Sequence, residues 1–428
     1  MKIVGLITEY NPFHNGHQYH IEEAKRITGA DSVIVVMSGD YVQRGTPAIM
    51  PKRLRAEMAL RCGASAVFEL PVCYATGSAE IFAQGAVSLL DSLGIVDSLC
   101  FGSECNDLEK LSQIADLLYQ EPEGYRQTLQ SGLRQGLSYP AAREKAISSC
   151  IDLSDCAFLL SNPNNILGIE YLKALKKLHS SIRPYTIERK TSHYHDTALR
   201  DEFSSASAIR TLLSYSGSSI HTDAVGRTFE NTEFINIFSE LENQVPACCL
   251  ELLKDYNRVL YPIYQNDFSL ILKYKLLNKR PEDLLRYVDV SQELASRICS
   301  HLNDFFNYKQ FRELLNTKEV TQTRINRALL HIMLGIKKER MEEYQTEGYH
   351  FYARLLGFRK DRERLLPAIA KKSILPLLIR TADAYDLTDI GKKMLFQDIL
   401  ASNLYTSVIT DKYKTAFANE YNQPVIKV

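Results

Sequence analysis

Along the first half of the chain, short apolar runs rich in β-branched residues alternate with longer amphipathic segments. "KIVGLIT", "DSVIVVMS", "SAVFELP", "SLCFGSE" and "RPYTIER" are bounded by polar turns and predict strands. "PKRLRAEMALRCGA" and "SAEIFAQGAVSLLDSLG" lie between them as amphipathic helices. "NPNNILGIEYLKALKKL" opens on an Asn-Pro turn and continues with apolar residues three and four apart, which predicts a further helix. Alternation of this kind implies an α/β fold, a Rossmann-like parallel sheet with helices on both faces. Around residues 210–230 the character changes. "SYSGSSIHTDAVGRTFENTE" is polar and Gly/Ser-rich and reads as a linker. Beyond it the pattern is nearly all helical, as in "PEDLLRYVDVSQELASRICSHL". The expected organisation is an α/β domain over 1–220 followed by a mostly α-helical region over 221–428, with no internal repeat.

Composition narrows the function classes. A chain of 428 residues predicts two or three domains. Lys plus Arg and Asp plus Glu balance at 51 each, which excludes a globally polybasic nucleic-acid binder and leaves room for a local basic face. No run of about 18 apolar residues occurs, so no membrane span is expected. The start "MKIVGLITEY" leads straight into a strand without a signal-peptide layout, and a cytoplasmic protein is expected. Among nine cysteines, Cys100 and Cys105, Cys150 and Cys156, and Cys248 and Cys249 match no CxxC spacing. They read as reduced, mostly buried thiols, and no dedicated metal site is expected.

The chemistry concentrates first in "TEYNPFHNGH", residues 8–17. It falls where the first strand hands over to the first helix, at a carboxyl end where parallel sheets bind ligands. The helix start offers backbone N–H groups suited to phosphate. Gly16 lets the backbone come close to a ligand. His14 and His17, three apart, project to one side and can donate to a phosphate whose charge grows in a transition state. The alternative, an ordinary turn with exposed histidines, fits this position poorly.

"NPFHNGH" after an N-terminal strand resembles the HxGH motif of the nucleotidyltransferase superfamily, which class I aminoacyl-tRNA synthetases share. "SGDYVQRGTPAIMPKRLRAEMALRCGASAVFELP", "FGSE", "PNNILGIEYLKAL" and "SSASAIR" narrow the resemblance to the bacterial tRNA(Met) cytidine acetate ligase family. It is strong over the first 210 residues and looser through "TQTRINRALLHIMLGI" and "LLGFRKD". It implies an enzyme that activates acetate with ATP to acetyl-adenylate and then acetylates the wobble cytidine of elongator tRNA(Met). ATP, with a magnesium ion arriving on it, acetate and the tRNA anticodon loop would be its ligands, with no membrane and no protein partner implied.

On this reading Ile7, Thr8, Glu9, Tyr10, Asn11, Pro12, Phe13, Asn15 and Gly16 form the nucleotide wall beside His14 and His17. Asp40 and Arg44 follow the second strand and face substrate, or else act as a cap and a solvated cation. Lys52 and Arg53 open the next helix, a locally unfavourable place for cations, and Lys52 would hold pyrophosphate. Gly102 and Ser103 end the fourth strand at the same sheet edge. Asn165 reads an adenine edge or caps its helix. Arg189 contacts phosphate or adenosine. Ser205 and Ser207, with Arg210, serve the ATP phosphates or form a plain helix cap. The cluster of His193, His195 and Asp196 in "SHYHD" invites a metal reading, but its two histidines have no third ligand at a usual spacing.

In the second half, Arg354, Arg359, Lys360, Arg362, Arg364, Lys371, Lys372 and Arg380 interleave with Phe351, Tyr352 and Phe358. Basic side chains with aromatics suit unpaired RNA. Arg359, Lys360 and Arg364, with Arg324 and Arg327 of "TRINR", are the expected RNA contacts; a pair of solvated helices is the alternative. Two rival functions share the first half: an adenylyltransferase acting on a small phosphorylated metabolite, and a non-catalytic tRNA-binding module. A class I synthetase fits less well, because a KMSKS-type lysine loop is absent.

Overall fold

The computed structural model describes residues 1–153, 155–189, 205–215, 233–317 and 320–428, without side chains at 215 and 233–236. Its strands are β1 (Ile3–Thr8), β2 (Ser32–Ser38), β3 (Tyr41–Val42), β4 (Thr46–Pro47), β5 (Ala66–Leu70), β6 (Ser98–Ser103), β7 (Arg183–Glu188), β8 (Ala353–Phe358), β9 (Leu377–Leu378) and β10 (Ile426–Lys427). The five apolar runs of the first half are β1, β2, β5, β6 and β7. They pair in parallel in the order β5-β2-β1-β6-β7. Both faces of the inner strands are covered, which is why β1, β2 and β5 are buried nearly throughout rather than alternating, whereas the edge strand β7 exposes Arg183 and Glu188. Val33, Val35 and Met37 of β2 enter one core, and Ile34 and Val36 enter the other.

The crossovers include α1 (Asn15–Thr28), α2 (Lys52–Arg61), α3 (Val72–Ala75) and α4 (Ala79–Ser92). Helix α1 stops at Gly29, whose φ of 64° is the left-handed cap that glycine accepts without strain. The fully buried guanidinium of Arg55 donates to the carbonyls of Glu9, Ser38, Gly39 and Met50. It thereby ties the carboxyl ends of β1 and β2 to α2.

The second half is mostly helical, as expected, and also extends the sheet. β8 joins the same sheet antiparallel to β5, and β9 and β10 add to β8. "ARLLGF" is a short apolar run whose periodicity does not separate strand from buried helix. The sheet therefore spans both expected domains, and the Gly/Ser-rich boundary at 216–232 lies outside the described residues. The 25-residue helix Asp389–Tyr413 returns to the first half, where Tyr405 Oη donates to Ala48 O at 2.8 Å. Among the described residues no helix is long and apolar enough to cross a membrane.

Candidate active site

A cavity of about 360 Å³ opens at the carboxyl edge of β1, β6 and β7. Ile7, Thr8, Glu9, Tyr10, Asn11, His14, Gly16 and His17 line it. Gly102, Arg189, Ser205, Ser207 and Arg210 close the other side, and Arg44 reaches in from the β3–β4 ribbon.

The two motif histidines build their own helix start. His14 is the N-cap of α1, and its Nδ1 accepts from Gly16 N at 3.1 Å. His17 Nδ1 accepts from His14 N at 3.3 Å. The pair is a capping box made of imidazoles, with the rings stacked at 3.8 Å between centroids. Asn15 N donates to Gln244 O at 3.0 Å and His17 N to His14 O at 2.8 Å. The first-turn amides are thus occupied, contrary to the expectation that they meet phosphate. With Nδ1 accepting, a neutral ring carries its proton on Nε2. Each ring can therefore offer the cavity an Nε2–H donor.

Electrostatics keep the rings neutral. Burial pushes His14 down to about 3, and the charges of Arg189 and Arg210 push the same way. His17 is lowered well below the ordinary histidine range by burial, then by His14 and Arg189. Arg189 donates to Asn164 Oδ1 at 3.1 Å, and Arg210 donates to Asn11 O at 2.6 Å and Ser207 Oγ at 2.9 Å. A Cβ at residue 102 would stand 3.0 Å from Arg189 Cγ, so Gly102 makes room for this arginine. Ser205 Oγ accepts from Ala208 N at 3.1 Å and caps the helix Ala206–Tyr215.

Other sequence candidates are placed elsewhere. Phe13 is core, Pro12 is buried beside it, and Asn15 Nδ2 donates to Asn243 O at 2.8 Å; none of the three lines the cavity. Ser103 Oγ lies 2.6 Å from Thr186 Oγ1 and accepts from Asn106 N at 3.0 Å, holding the turn after β6. Asn165 Oδ1 accepts from Glu104 N and Cys105 N at 2.9 and 3.2 Å, while its neighbour Asn164 faces the cavity.

Lys52 and Asp40 do not reach the cavity either. Lys52, 1% exposed, sits 2.7 Å from Glu69, 2.8 Å from Glu420 and 2.6 Å from Ser402 Oγ. Asp40 accepts from Lys52 N at 2.8 Å, and Arg354 pairs with Glu69 and Glu420. The lysine that looked unfavourable at a helix start is neutralised by carboxylates from distant segments. Arg53 donates to Pro424 O.

The basic stretch of the second half is divided. Arg354, Tyr352 and Phe358 are buried, which removes these aromatics from any stacking role. Arg359 pairs with Asp361 at 2.8 and 2.9 Å, and its N–H donates to Ser65 O just before β5. Arg359, Lys360 and Arg364 thus lie toward the amino edge of the parallel strands, opposite the cavity. Arg327 pairs with Asp289 at 2.8 and 3.2 Å. The helix carrying Arg324 and Arg327 (Gln322–Leu334) presses against Gly45, next to Arg44; a Cβ at Gly45 would strike the backbone of Asn326 and Arg327. His193, His195 and Asp196 lie outside the described residues.

Sequence reasoning passed over Tyr19, His20, Gln43, Asn164, Glu188 and an apolar wall of Phe82, Phe101, Ile166, Leu167 and Tyr171. His20 was legible, since it follows His17 by three on the same helix face. The wall was not, because its members come from three separate segments.

Comparison with known proteins agrees with this geometry. The HIGH Nucleotidyl Transferase family model matches residues 1–420. The tRNA(Met) cytidine acetate ligase of Acetivibrio thermocellus is 39% identical over 428 residues, covering 100% of both chains. That of Alkaliphilus metalliredigens is 37% identical over 420 residues, 96% of this chain and 95% of its own. Crystal structures of Thermotoga maritima TmcAL, apo and bound with alpha-thio ATP, match with TM-scores of 0.89 and 0.87 at 31% identity, covering 100% of each chain. The imidazole-capped helix at the sheet edge and these full-length likenesses lead to one assignment: the chain belongs to the HIGH nucleotidyl transferase family and, within it, to the tRNA(Met) cytidine acetate ligases.

Proposed function

We propose that this protein condenses acetate with ATP to acetyl-adenylate and transfers the acetyl group to N4 of the wobble cytidine in elongator tRNA(Met). The observation that carries the reading is the pair of neutral imidazoles, His14 and His17, whose Nδ1 atoms are held by backbone and whose Nε2–H groups are left for a ligand. An acetate oxygen attacks the α-phosphorus, a P–O bond forms and pyrophosphate leaves. Arg44, Arg189 and Arg210 offset the charge that builds on the departing phosphates, and the two Nε2–H donors stabilise it in place. No side chain is acylated, so rate enhancement comes from positioning and electrostatics.

The apolar wall of Phe82, Phe101 and Tyr171 suits the adenine base. The cavity's charged lining is Arg44, Arg189 and Arg210 against Glu9 and Glu188. Magnesium would enter on the phosphates of ATP, as hard cations held mainly by substrate phosphates do. In the second step the cytidine N4 attacks the acyl carbon, AMP leaves and N4 loses one proton. The target base must be unstacked, which costs least in a single-stranded loop. RNA approaches along the Arg44 and Arg324 side, since that side adjoins the cavity.

Acetate-dependent exchange of labelled pyrophosphate into ATP tests the first step. Nucleoside mass spectrometry of tRNA from strains with and without the gene tests the second. Exchange that requires a phosphorylated metabolite instead of acetate, with a dinucleotide released and no AMP, would replace this reading with an adenylyltransferase.

A further inference from the structure

Cys62 closes α2 as its C-terminal cap. Cys248 and Cys249 stand in the first turn of the ten-residue helix Ala247–Tyr256, which packs against α2. Folding brings the three thiols together from opposite ends of a long stretch of chain. Cys62 Sγ lies 3.6 Å from Cys248 Sγ and 3.5 Å from Cys249 Sγ, and all three sulfurs fall within 4.8 Å of one another. All three are free thiols. Thiolates on a tetrahedral ion with metal–sulfur bonds of about 2.3 Å stand about 3.8 Å apart. The sulfurs are therefore already near the spacing an ion imposes.

Two further features suit an ion. Pro246 caps the helix without a side-chain hydrogen bond, and Cys248 and Cys249 follow in its first turn, where the positive end of the helix dipole favours thiolate. Cys62 and Cys249 are buried, whereas Cys248 is half-buried and leaves a path from solvent. An all-sulfur donor set selects soft cations over magnesium or calcium.

We propose that Cys62, Cys248 and Cys249 form a three-thiolate site for a thiophilic metal ion, Zn²⁺ or Cu⁺, with a remaining position open to solvent. Each thiol releases its proton to solvent as it binds. None of the three lines the nucleotide cavity. The ion pins the helix Ala247–Tyr256 to α2. That helix follows directly on Asn243 and Gln244, whose carbonyls hold the Asn15 side chain and backbone at 2.8 and 3.0 Å. The site is thus a structural anchor for the segment that supports the HxGH turn.

The test uses the reduced, chelator-stripped full-length protein. Co²⁺ serves as an optical probe for Zn²⁺, and Cu⁺ is titrated against a chromogenic Cu⁺ chelator. The expected result is one ion per chain, with intense thiolate-to-Co²⁺ charge-transfer absorption that one equivalent of Zn²⁺ abolishes. Cys62→Ser should weaken Zn²⁺ binding by roughly a hundredfold or more. A measurement on the unaltered chain guards against a variant that fails to fold: Zn²⁺ should protect Cys248 from alkylation by iodoacetamide, read by peptide mass spectrometry. Absence of stoichiometric binding of either ion, or unchanged alkylation of Cys248 with Zn²⁺ present, overturns the proposal.

Discussion

At the residue scale, His17 both caps α1 through Nδ1 and presents a donor through Nε2. The two roles separate in His17→Asn, which keeps a cap acceptor and removes the distal N–H. Acetate-dependent pyrophosphate exchange should fall on the order of a hundredfold, with the thermal midpoint nearly unchanged. A folded variant with near-normal exchange would take His17 out of the chemistry. Protonation gives a second prediction. His14 is pushed down to about 3 and His20 to about 4, each by burial first and by neighbouring arginine charge after it. In the unfolded chain both titrate near 6.5. Their contribution to stability is complete above about pH 6.5 and is lost as the pH falls toward the folded values, because the unfolded chain takes up protons that the folded one refuses. Nitrogen-15 spectra of histidine-labelled protein should show neutral, Nε2-protonated rings for His14 at pH 5.5, and the urea midpoint should drop between pH 6.5 and 4.5. A charged imidazolium at His14 at pH 5.5 would contradict the donor assignment.

At the scale of elements, strand direction sorts the basic residues. β8 runs antiparallel to β5, with Arg354 beside Glu69 and Phe358 beside Ala66. Arg359 to Arg364 therefore emerge at the edge away from the cavity, whereas Arg324 rides on the helix packed against the β3–β4 ribbon. Arg324→Glu should weaken tRNA binding and flatten its salt dependence, because a phosphate contact releases counterions. The pair Arg359→Glu and Arg364→Glu should change both much less, and exchange should persist in all three. Filter binding across a salt series decides, and the opposite ranking would move the RNA path to the far edge. The Lys52 network belongs to the same scale, since it joins α2 to β5, β8 and the segment around Glu420. Lys52→Met leaves Glu69 and Glu420 to share Arg354 alone, takes the nearby cation from buried Asp40, and should cost about 3–5 kcal/mol. Urea denaturation measures this, and a loss under about 1 kcal/mol would mean that the network relaxes easily.

At the scale of the whole molecule, the sheet is completed by the last quarter of the chain. Ending the protein near residue 220 removes β8, β9 and β10, exposes the edge of β5, and leaves Glu69 without Arg354. An exposed apolar strand edge invites association. A 1–220 fragment should therefore aggregate or bind ATP weakly, despite a sequence pattern that divides the chain there. Size-exclusion chromatography and calorimetry with ATP give the outcome. A monomeric fragment with full-length ATP affinity would show that the first half folds by itself.

The sequence by itself determined the five parallel strands, their intervening helices and the HxGH turn, because each is written locally. An apolar run bounded by turns, or a histidine pair around a glycine at a strand-to-helix junction, keeps its meaning wherever the rest of the chain goes. His20 was within the same reach, through helical spacing alone. The family resemblance in "NPFHNGH" and its companion stretches carried the chemistry. Only the tertiary structure decided which of the polar candidates meet. Lys52 faces Glu69 and Glu420 instead of a ligand, Asn164 takes the cavity position given to Asn165, and "ARLLGF" becomes a strand because β5 has an edge to offer it. Cys62 meets Cys248 and Cys249 for the same reason. Local pattern fixes the period of an element and the side chains it displays, whereas the partner of each displayed side chain is set by packing between segments far apart in the chain, where burial and charge neutralisation select one arrangement.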